Sequence, residues 1–539
     1  MPTKETAEAP FSAVRVAWWV LATVGITAAL VARVRLLNLP LERDEGEFAY
    51  IGQLMLAGVP PYKLAYTMKL PGTSAVYALA MAVFGQTPAG VHLGLLMVNL
   101  AAVVLLFFIG RSLFGLIAGS VAAGSYAVLS AMPYVLGLAA HATHFVVVPA
   151  LAGAFLLLKS EDLKSLHASF WSGFLFGLSF LMKQPGLLLV LFGLTYLVVH
   201  DWRCGGRAKR IVFRAGIFCF GASVPLIGTC LILLGVGVSG NFWFWTVSYA
   251  QQYGGRLSIV DAWHILTAQF DSFVGSAWPL WIIAPVGFVI LVIGIRRYRR
   301  QSDFLVLLFL FSLLAVCPGF YFRPHYFILL LPALSLLIAA AVTGAIDFLQ
   351  PRPLIFQLML IILIGAAMVW PIWRERDFFF QRPLSDANRM VNGTNPFAEA
   401  EKIGDYLRSQ TTPDDTVAVL GSEPEIYFYS HRRSATGYIY TYELMEPQPF
   451  VHQMQLEMIR EIESARPKFL VLVVLNKSWL AVGDSDKTIF RWADRYCDEK
   501  YEEVGLVNIS DAPSEYYLSG IPSFVKPTED HILIYRRKT

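Results

Sequence analysis

The sequence is short of charge. Asp, Glu, Lys and Arg make up 15% of its 539 residues, against about 25% in a typical soluble domain. That excludes a chain built throughout of water-soluble domains. The shortage is uneven: up to about Trp373 charges come in short clusters between apolar runs, and after it they are spread as in a soluble protein. Cysteine is scarce too. Cys204, Cys219, Cys230, Cys317 and Cys497 are scattered without metal-type spacing and read as small buried hydrophobes. A formal net charge of +4 is too small to argue for a nucleic-acid partner. There is no internal repeat, no low-complexity tract, and no Gly-rich phosphate cradle in the inner loops, so a soluble nucleotide donor has no evident site.

What fills the chain instead is apolar: 56% of residues are hydrophobic. A membrane-crossing helix needs about 20 such residues. The runs predict about eleven spans, at 14–36, 88–110, 113–132, 134–158, 169–182, 185–200, 211–236, 275–295, 303–317, 326–346 and 353–373. The polar start "MPTKETAEAP" shows no small-residue cleavage site, so the first run reads as a membrane helix rather than a removed signal. Residues 73–85 are a further apolar piece, set off by Gly85 to Pro88 and suited to a surface helix.

Basic residues set the orientation. Arg111, Lys159, Lys164, "DWRCGGRAKR", Arg296 to Arg300 and Arg352 fall on one side, which becomes the inner face; Arg33 and Arg35 count against it. Eleven crossings then put the tail outside. The expectation is a polytopic α-helical membrane domain over 1–373, its first outer loop at 37–72, and an extracytoplasmic α/β domain over 374–539. In the tail, "TVAVLG", "KFLVLVVL" and "HILIYRR" read as strands, and "NPFAEAEKIGDYLRSQ", capped by Asn395, and "FVHQMQLEMIREIESARP" as helices.

The first outer loop carries the unusual chemistry. In "LERDEGEFAYIGQLMLAGVPPYKLAYTMKLPG", Asp44 and Glu47 suit a capping box, and Phe48, Ile51 and Met55 form an apolar stripe that Gly58 ends. A short amphipathic helix at the membrane interface follows. Capping leaves Glu45 unexplained, along with the clustering of three carboxylates beside hydrocarbon. Lys69 fits either a snorkelling cation or a headgroup clamp. Lys183, at the tip of a tight outer hairpin, is costly there and is a functional candidate. Arg256, Arg323 and His325 fall on the same face. So do His141 and His144, whose i, i+3 spacing on one helical face permits metal ligation or substrate contact. A carboxylate can take a proton from an acceptor hydroxyl as an anomeric carbon gains positive character, while Lys and Arg stabilise a departing phosphate.

Together, "RDEGEFAYIGQLMLAGVPPY" followed by "KLPG", the lysine of "FLMKQPG" and the late "RPHYFILLLPALSLL" resemble the GT-C membrane glycosyltransferases. The branch is that of protein O-mannosyltransferases, aminoarabinose transferases of lipid A and galacturonosyl and mannosyl transferases of lipopolysaccharide core (glycosyltransferase family 39). The resemblance covers most of 14–346. It implies an inverting sugar transfer from a polyprenyl-phosphate donor to a glycolipid, glycan or protein acceptor, at the outer face of a bacterial cytoplasmic membrane. It assigns Asp44, then Glu45, as the catalytic carboxylate, and Lys69 and Lys183, with Arg256 and Arg323, as donor-phosphate contacts. Glu47, Tyr62, His141, His144 and His325 become candidate substrate contacts. No cofactor is demanded, although a divalent metal ion stays open. Two departures stand out: many relatives have Lys-Pro-Pro where this chain has Lys69-Leu70-Pro71, and a second acidic residue near 140 where it has His141 and His144. A transporter and a non-catalytic assembly subunit are the competing classes. The first predicts ionisable groups near mid-membrane in broken helices, the second a tail that acts only in docking.

Overall fold

The computed structural model describes residues 13–160, 165–254, 257–349, 352–510 and 513–538. Arg256 and Lys164 lie outside the described residues. The chain is a helical assembly followed by a region containing a six-stranded sheet. Among the described residues, eight helices are long and apolar enough to cross a membrane: Ala13–Arg35, Pro88–Phe114, Ala142–Lys159, Gly186–Arg203, Ala208–Gly235, Ile259–Ile293, Leu331–Leu349 and Leu354–Arg374. Three shorter apolar helices, Gly72–Phe84, Leu116–Leu129 and Leu166–Met182, pack among them. The run at 303–317 lies in Arg299–Val316, which opens on two arginines and so is less apolar than a full span. The chain is a multi-pass membrane protein.

Helices approach closely where glycine allows it. A Cβ on Gly173 would collide with the Phe218 carbonyl, and one on Gly177 with that of Ala222. Without a hydrophobic drive between helices in lipid, such small-residue contacts supply the dispersion that holds them together. Cys204, Cys219 and Cys230 are exposed rather than buried, the last two on Ala208–Gly235, so the reading as core residues does not hold for them.

Two predicted spans are broken at their N-terminal ends. Residues 134–158 begin with a 3-10 turn at Pro133–Val135, and the helix starts only at Ala142. The 326–346 run opens with the 3-10 turn Pro324–Leu329 before Leu331–Leu349. Pro133 and Pro324 open these turns, at a first position where the missing N–H costs no hydrogen bond. The freed carbonyls find a partner in Arg33, whose guanidinium donates to Ser130 O at 2.6 Å and Gly137 O at 2.9 Å. Arg33 is therefore a buried structural donor and carries no weight as an orientation signal. Arg35 likewise donates to the Phe379 carbonyl at 3.1 Å.

After Arg374 the sheet is built from β1 (Thr416–Leu420), β2 (Arg433–Ser434), β3 (Phe469–Val474), β4 (Tyr501–Asn508), β5 (Glu515–Tyr517) and β6 (His531–Arg537), in the order β2-β1-β3-β6-β4-β5. β1 pairs parallel with β2 and β3; the other pairings are antiparallel. Helices Phe397–Gln410 and Val451–Ala465 appear where their apolar periodicity places them. Asn395 is not the cap of the first: its side-chain carbonyl accepts from Arg43 at 3.4 Å, and Pro396 precedes the helix without a side-chain cap.

Candidate active site

The loop expected to be the first outer one forms the helix Arg43–Leu56. Its cap is Glu42, not Asp44. The Glu42 carboxylate accepts from Glu45 N–H at 2.9 Å, and the Glu45 carboxylate accepts from Glu42 N–H at 3.1 Å. A capping box thus exists one step earlier than the Asp44–Glu47 spacing suggested, and it frees Asp44 and Glu47 for other contacts. Nor does this helix lie on a lipid interface. It is buried on nearly all sides, between the membrane helices and the C-terminal region.

The C-terminal side of that sandwich is close and polar. A Cβ on Gly46 would sit 2.6 Å from the Glu425 backbone nitrogen, so only glycine permits the approach. Tyr50 Oη accepts from Ser434 N–H at 2.8 Å, and Tyr429 Oη accepts from Leu41 N–H at 2.9 Å. Arg43 is buried against the same region: it donates to Ser422 O at 2.5 Å and Tyr442 Oη at 2.8 Å, and pairs with Glu423 at 3.0 Å. A buried pair of this kind holds only with its remaining valences filled. Here Ser478 Oγ donates to the other Glu423 oxygen at 2.6 Å.

With the helix fixed, Asp44 and Glu47 meet Lys69. The ammonium lies 2.7 Å from Asp44 Oδ1 and 2.6 Å from Glu47 Oε2, and 4.6 Å above the centre of the Phe48 ring. Thr67 Oγ1 donates to the other oxygen of Glu47 and accepts from Lys69 N–H at 3.1 Å. Burial would raise the Asp44 carboxyl, but Lys69, then His141, outweigh it and hold Asp44 well below the usual range. Burial does win at Glu47, which is raised. Lys69 is held above its ordinary value by the two carboxylates, against the opposing effect of burial.

Lys183 arrives from the hairpin between Leu166–Met182 and Gly186–Arg203. Gln184 Nε2 donates to Met68 O at 2.7 Å and Thr73 Oγ1 to Met182 O at 2.9 Å, which pins this hairpin to the Lys69 turn. The two turns read alike, Lys69-Leu70-Pro71-Gly72 and Lys183-Gln184-Pro185-Gly186, each proline preceding a helix that starts at glycine. Lys183 has no carboxylate within ion-pair distance among the described residues; its ammonium stands 4.3 Å over the Tyr326 ring. Burial pulls it down to about 7, with Lys69 and Arg323 adding to the fall and Asp44 resisting it.

These groups line one cavity of about 310 Å³. Asp44, Glu47, Lys69, Lys183, Arg323 and His325 all border it. So do residues that the sequence did not single out: Gln184, Tyr249 and Tyr326 from the helical part, and Tyr440, Tyr442 and Glu443 from the C-terminal region. The clearest neglected signal was Arg43, a lone buried-type cation beside "DEGE" that needed a partner from elsewhere.

Other expected site residues stand apart from the cavity. Glu45 faces away from it: Oε1 pairs with His92 Nε2 at 3.0 Å and accepts from Ala140 N–H at 2.5 Å, so its oxygens are used in holding the loop to the helices. Tyr62 is wholly buried with φ +67°, and its hydroxyl donates to Lys69 O at 2.8 Å; it shapes the turn behind the ammonium rather than facing a substrate. His141 precedes its helix while His144 lies inside it, so the two do not share a helical face. Only His141 joins the site, stacked on His325 with ring centres 4.0 Å apart.

Asp44, His141 and His325 bring one ligand atom each within 4.8 Å of one another. The donor types suit a zinc-like cation, and neither His141 nitrogen has a hydrogen bond among the described residues, carboxylate oxygens of Glu42 and Asp44 lying 3.6 and 3.8 Å from Nδ1. Charge opposes such an ion: Lys69 already holds Asp44, and Lys183 adds a second positive group nearby. Burial pulls His141 down to about 4, so its ring is neutral at neutral pH.

The helical architecture and the sheet region packed on the helix Arg43–Leu56 make this the fold of the GT-C membrane glycosyltransferases. Residues 69–228, which include both lysines, match the family described as dolichyl-phosphate-mannose-protein mannosyltransferase. Among solved structures, the chain is similar to ArnT from Cupriavidus metallidurans bound to undecaprenyl phosphate, with TM-score 0.61, 15% identity, and coverage of 95% of this chain and 97% of that one. It is also similar to the oligosaccharyltransferase AglB from Archaeoglobus fulgidus in complex with an inhibitory peptide and a dolichol-phosphate, with TM-score 0.55, 13% identity, and coverage of 95% and 76%. No curated protein matches the chain in sequence.

Proposed function

We propose that this protein transfers a sugar from a polyprenyl-phosphate donor to a hydroxyl of a glycolipid, cell-envelope glycan or protein, at the outer face of a bacterial cytoplasmic membrane. In this reading the chain divides near residue 373 into a membrane-embedded catalytic part and an extracytoplasmic domain. One observation carries it: a carboxylate and two lysines converge on a single cavity lined by the connections between helices and by the C-terminal region. The fold's likeness to proteins whose structures hold undecaprenyl phosphate or dolichol-phosphate supports the donor class.

The chemistry follows from the groups present. Lys183 and Arg323 border the cavity as cations and hold the donor phosphate. The acceptor oxygen bonds to the anomeric carbon as the bond from that carbon to phosphate oxygen breaks. The electron pair leaves with the phosphate, and the hydroxyl proton passes to Asp44. Attack opposite the leaving group inverts the centre. Asp44 is kept ionised by Lys69, which also makes it a weak base. A donor phosphate that draws Lys69 partly away raises the basicity of Asp44 when an acceptor is to be activated, while Glu47 keeps the ammonium in reach.

The test is transfer by the purified full-length chain, in detergent or nanodiscs, from a supplied lipid-phosphate sugar to extracted envelope acceptors. Product formation abolished by Asp44→Asn supports the assignment. Wild-type turnover by Asp44→Asn refutes the base; movement of lipid without covalent product refutes the reaction class.

A further inference from the structure

The cavity has a wall that phosphate chemistry does not use. The 3-10 turn Tyr442–Leu444 brings Glu443 to it, 91% buried by its 9% relative exposure, and Glu443 Oε2 has no hydrogen-bond partner among the described residues. Beside it, Glu446 accepts from Tyr249 Oη at 2.6 Å. Tyr440 stands edge-on to Tyr442 with ring centres 4.8 Å apart, and both rings border the cavity. The charged neighbours of Glu443 include Glu446, Glu47 and Lys69, whereas those of Lys183 include Asp44, Lys69, Arg323 and Glu42. Lys69 is common to both sets and so links the phosphate-binding cations to this acidic, aromatic wall.

We infer that Glu443, Glu446 and Tyr440 form a pyranose-binding subsite that the C-terminal region adds to the cavity, selective for a neutral sugar over a uronic acid. This rests on the transferase reading above. A buried carboxyl oxygen without a partner is costly until something bonds it, and a sugar hydroxyl both donates and accepts. Burial and Glu446 push the Glu443 carboxyl well up, which favours the protonated acid, and that form offers the matching pair of functions. Tyrosine rings give the ring's C–H face an apolar surface. A uronate would set its carboxylate against that of Glu446 and is disfavoured. The sugar is that of the donor or that of a glycan acceptor; the chemistry is shared.

Binding to the full-length chain in nanodiscs tests this. For the donor source, the probes are undecaprenyl-phosphate glucose, undecaprenyl-phosphate galacturonate and the sugar-free diester undecaprenyl methyl phosphate. For the acceptor source, they are methyl glucoside and methyl galacturonoside, added with and without the sugar-free diester. In at least one arm the neutral sugar should gain about tenfold in affinity over its sugar-free or uronate counterpart, the size of one good buried hydrogen bond. Glu443→Ala should bring that ratio to about one with affinity for the sugar-free diester unchanged, and Glu443→Gln, which imitates the protonated acid, should restore most of it. Tyr440→Ala, which leaves the buried acid in place, should weaken the same ratio. The inference is overturned if neither arm shows a neutral-sugar preference that depends on Glu443, or if the uronate binds best. Failure of the wild type to bind any lipid diester, with Glu443-dependent binding of methyl glucoside intact, removes the donor reading and leaves this subsite standing.

Discussion

Lys183 allows a test whose sign and size both come from its position. In the folded chain it titrates at about 7, because burial outweighs the pull of Asp44. A sugar-phosphate diester keeps one negative charge throughout the accessible range, so between pH 6 and 8 the lysine is the titrating partner in their contact. About nine tenths of the ammonium is charged at pH 6 and about one tenth at pH 8. If binding requires the charged form, the dissociation constant rises about tenfold over that interval. Folding stability moves the other way. The unfolded lysine titrates at its ordinary 10.5, so from about pH 7 to 10 the unfolded chain binds more protons and stability rises with pH. Loss of affinity with rising pH therefore cannot be loss of fold. The assay is equilibrium binding of a fluorescent polyprenyl-phosphate sugar in nanodiscs. Lys183→Arg, always charged, should bind with a flat profile; Lys183→Met should bind weakly at every pH. A flat wild-type profile, or a Lys183→Met variant that keeps the slope, refutes the reasoning.

The two neighbouring carboxylates should separate cleanly. Asp44→Asn is expected to lower turnover by about 10²–10⁴-fold with little change in melting temperature. Glu45→Gln is expected to cost about 3 kcal/mol of stability, because it leaves His92 buried without its anion, while turnover per folded molecule stays within a few fold; thermal unfolding and transfer assays on both variants decide. Gly46→Ala forces a carbon to within 2.6 Å of the Glu425 nitrogen and should loosen the C-terminal region by about 2 kcal/mol, seen as faster protease cleavage in the segment after Arg374. Chelation by EDTA should leave transfer unchanged, since Lys69 already neutralises Asp44; activity lost to EDTA and restored by one divalent metal would show the charge argument to be wrong.

The membrane character and the sheet strands were legible because each rests on a local pattern. Long apolar runs mark helices in lipid, and "KFLVLVVL" between turn residues marks a strand buried on both faces, as β3 is. The breaks at Pro133–Val135 and Pro324–Leu329 were harder to see. Hydropathy continues through them, and only the prolines and the distant Arg33 mark the change. The same limit explains the cap of the first outer loop. Asp44–Glu47 and Glu42–Glu45 have identical spacing, and what chooses between them is a contact 25 residues away, where Lys69 claims both carboxylates of the first pair.

Which carboxylate faces the cavity is likewise decided outside the loop. On a helix, consecutive residues point about 100° apart, so fixing one face fixes the roles of all. Gly46 and Tyr50 take the face toward the C-terminal region, and Glu45 is drawn to His92 and the Ala140 amide. What remains for Asp44 and Glu47, three residues apart and on one side, is the direction of Lys69. The tail therefore does more than cover the site. By taking Arg43 and closing on Gly46 it sets the rotation of the helix that carries the candidate base. A variant that weakens that docking should lower turnover without touching a group in the cavity.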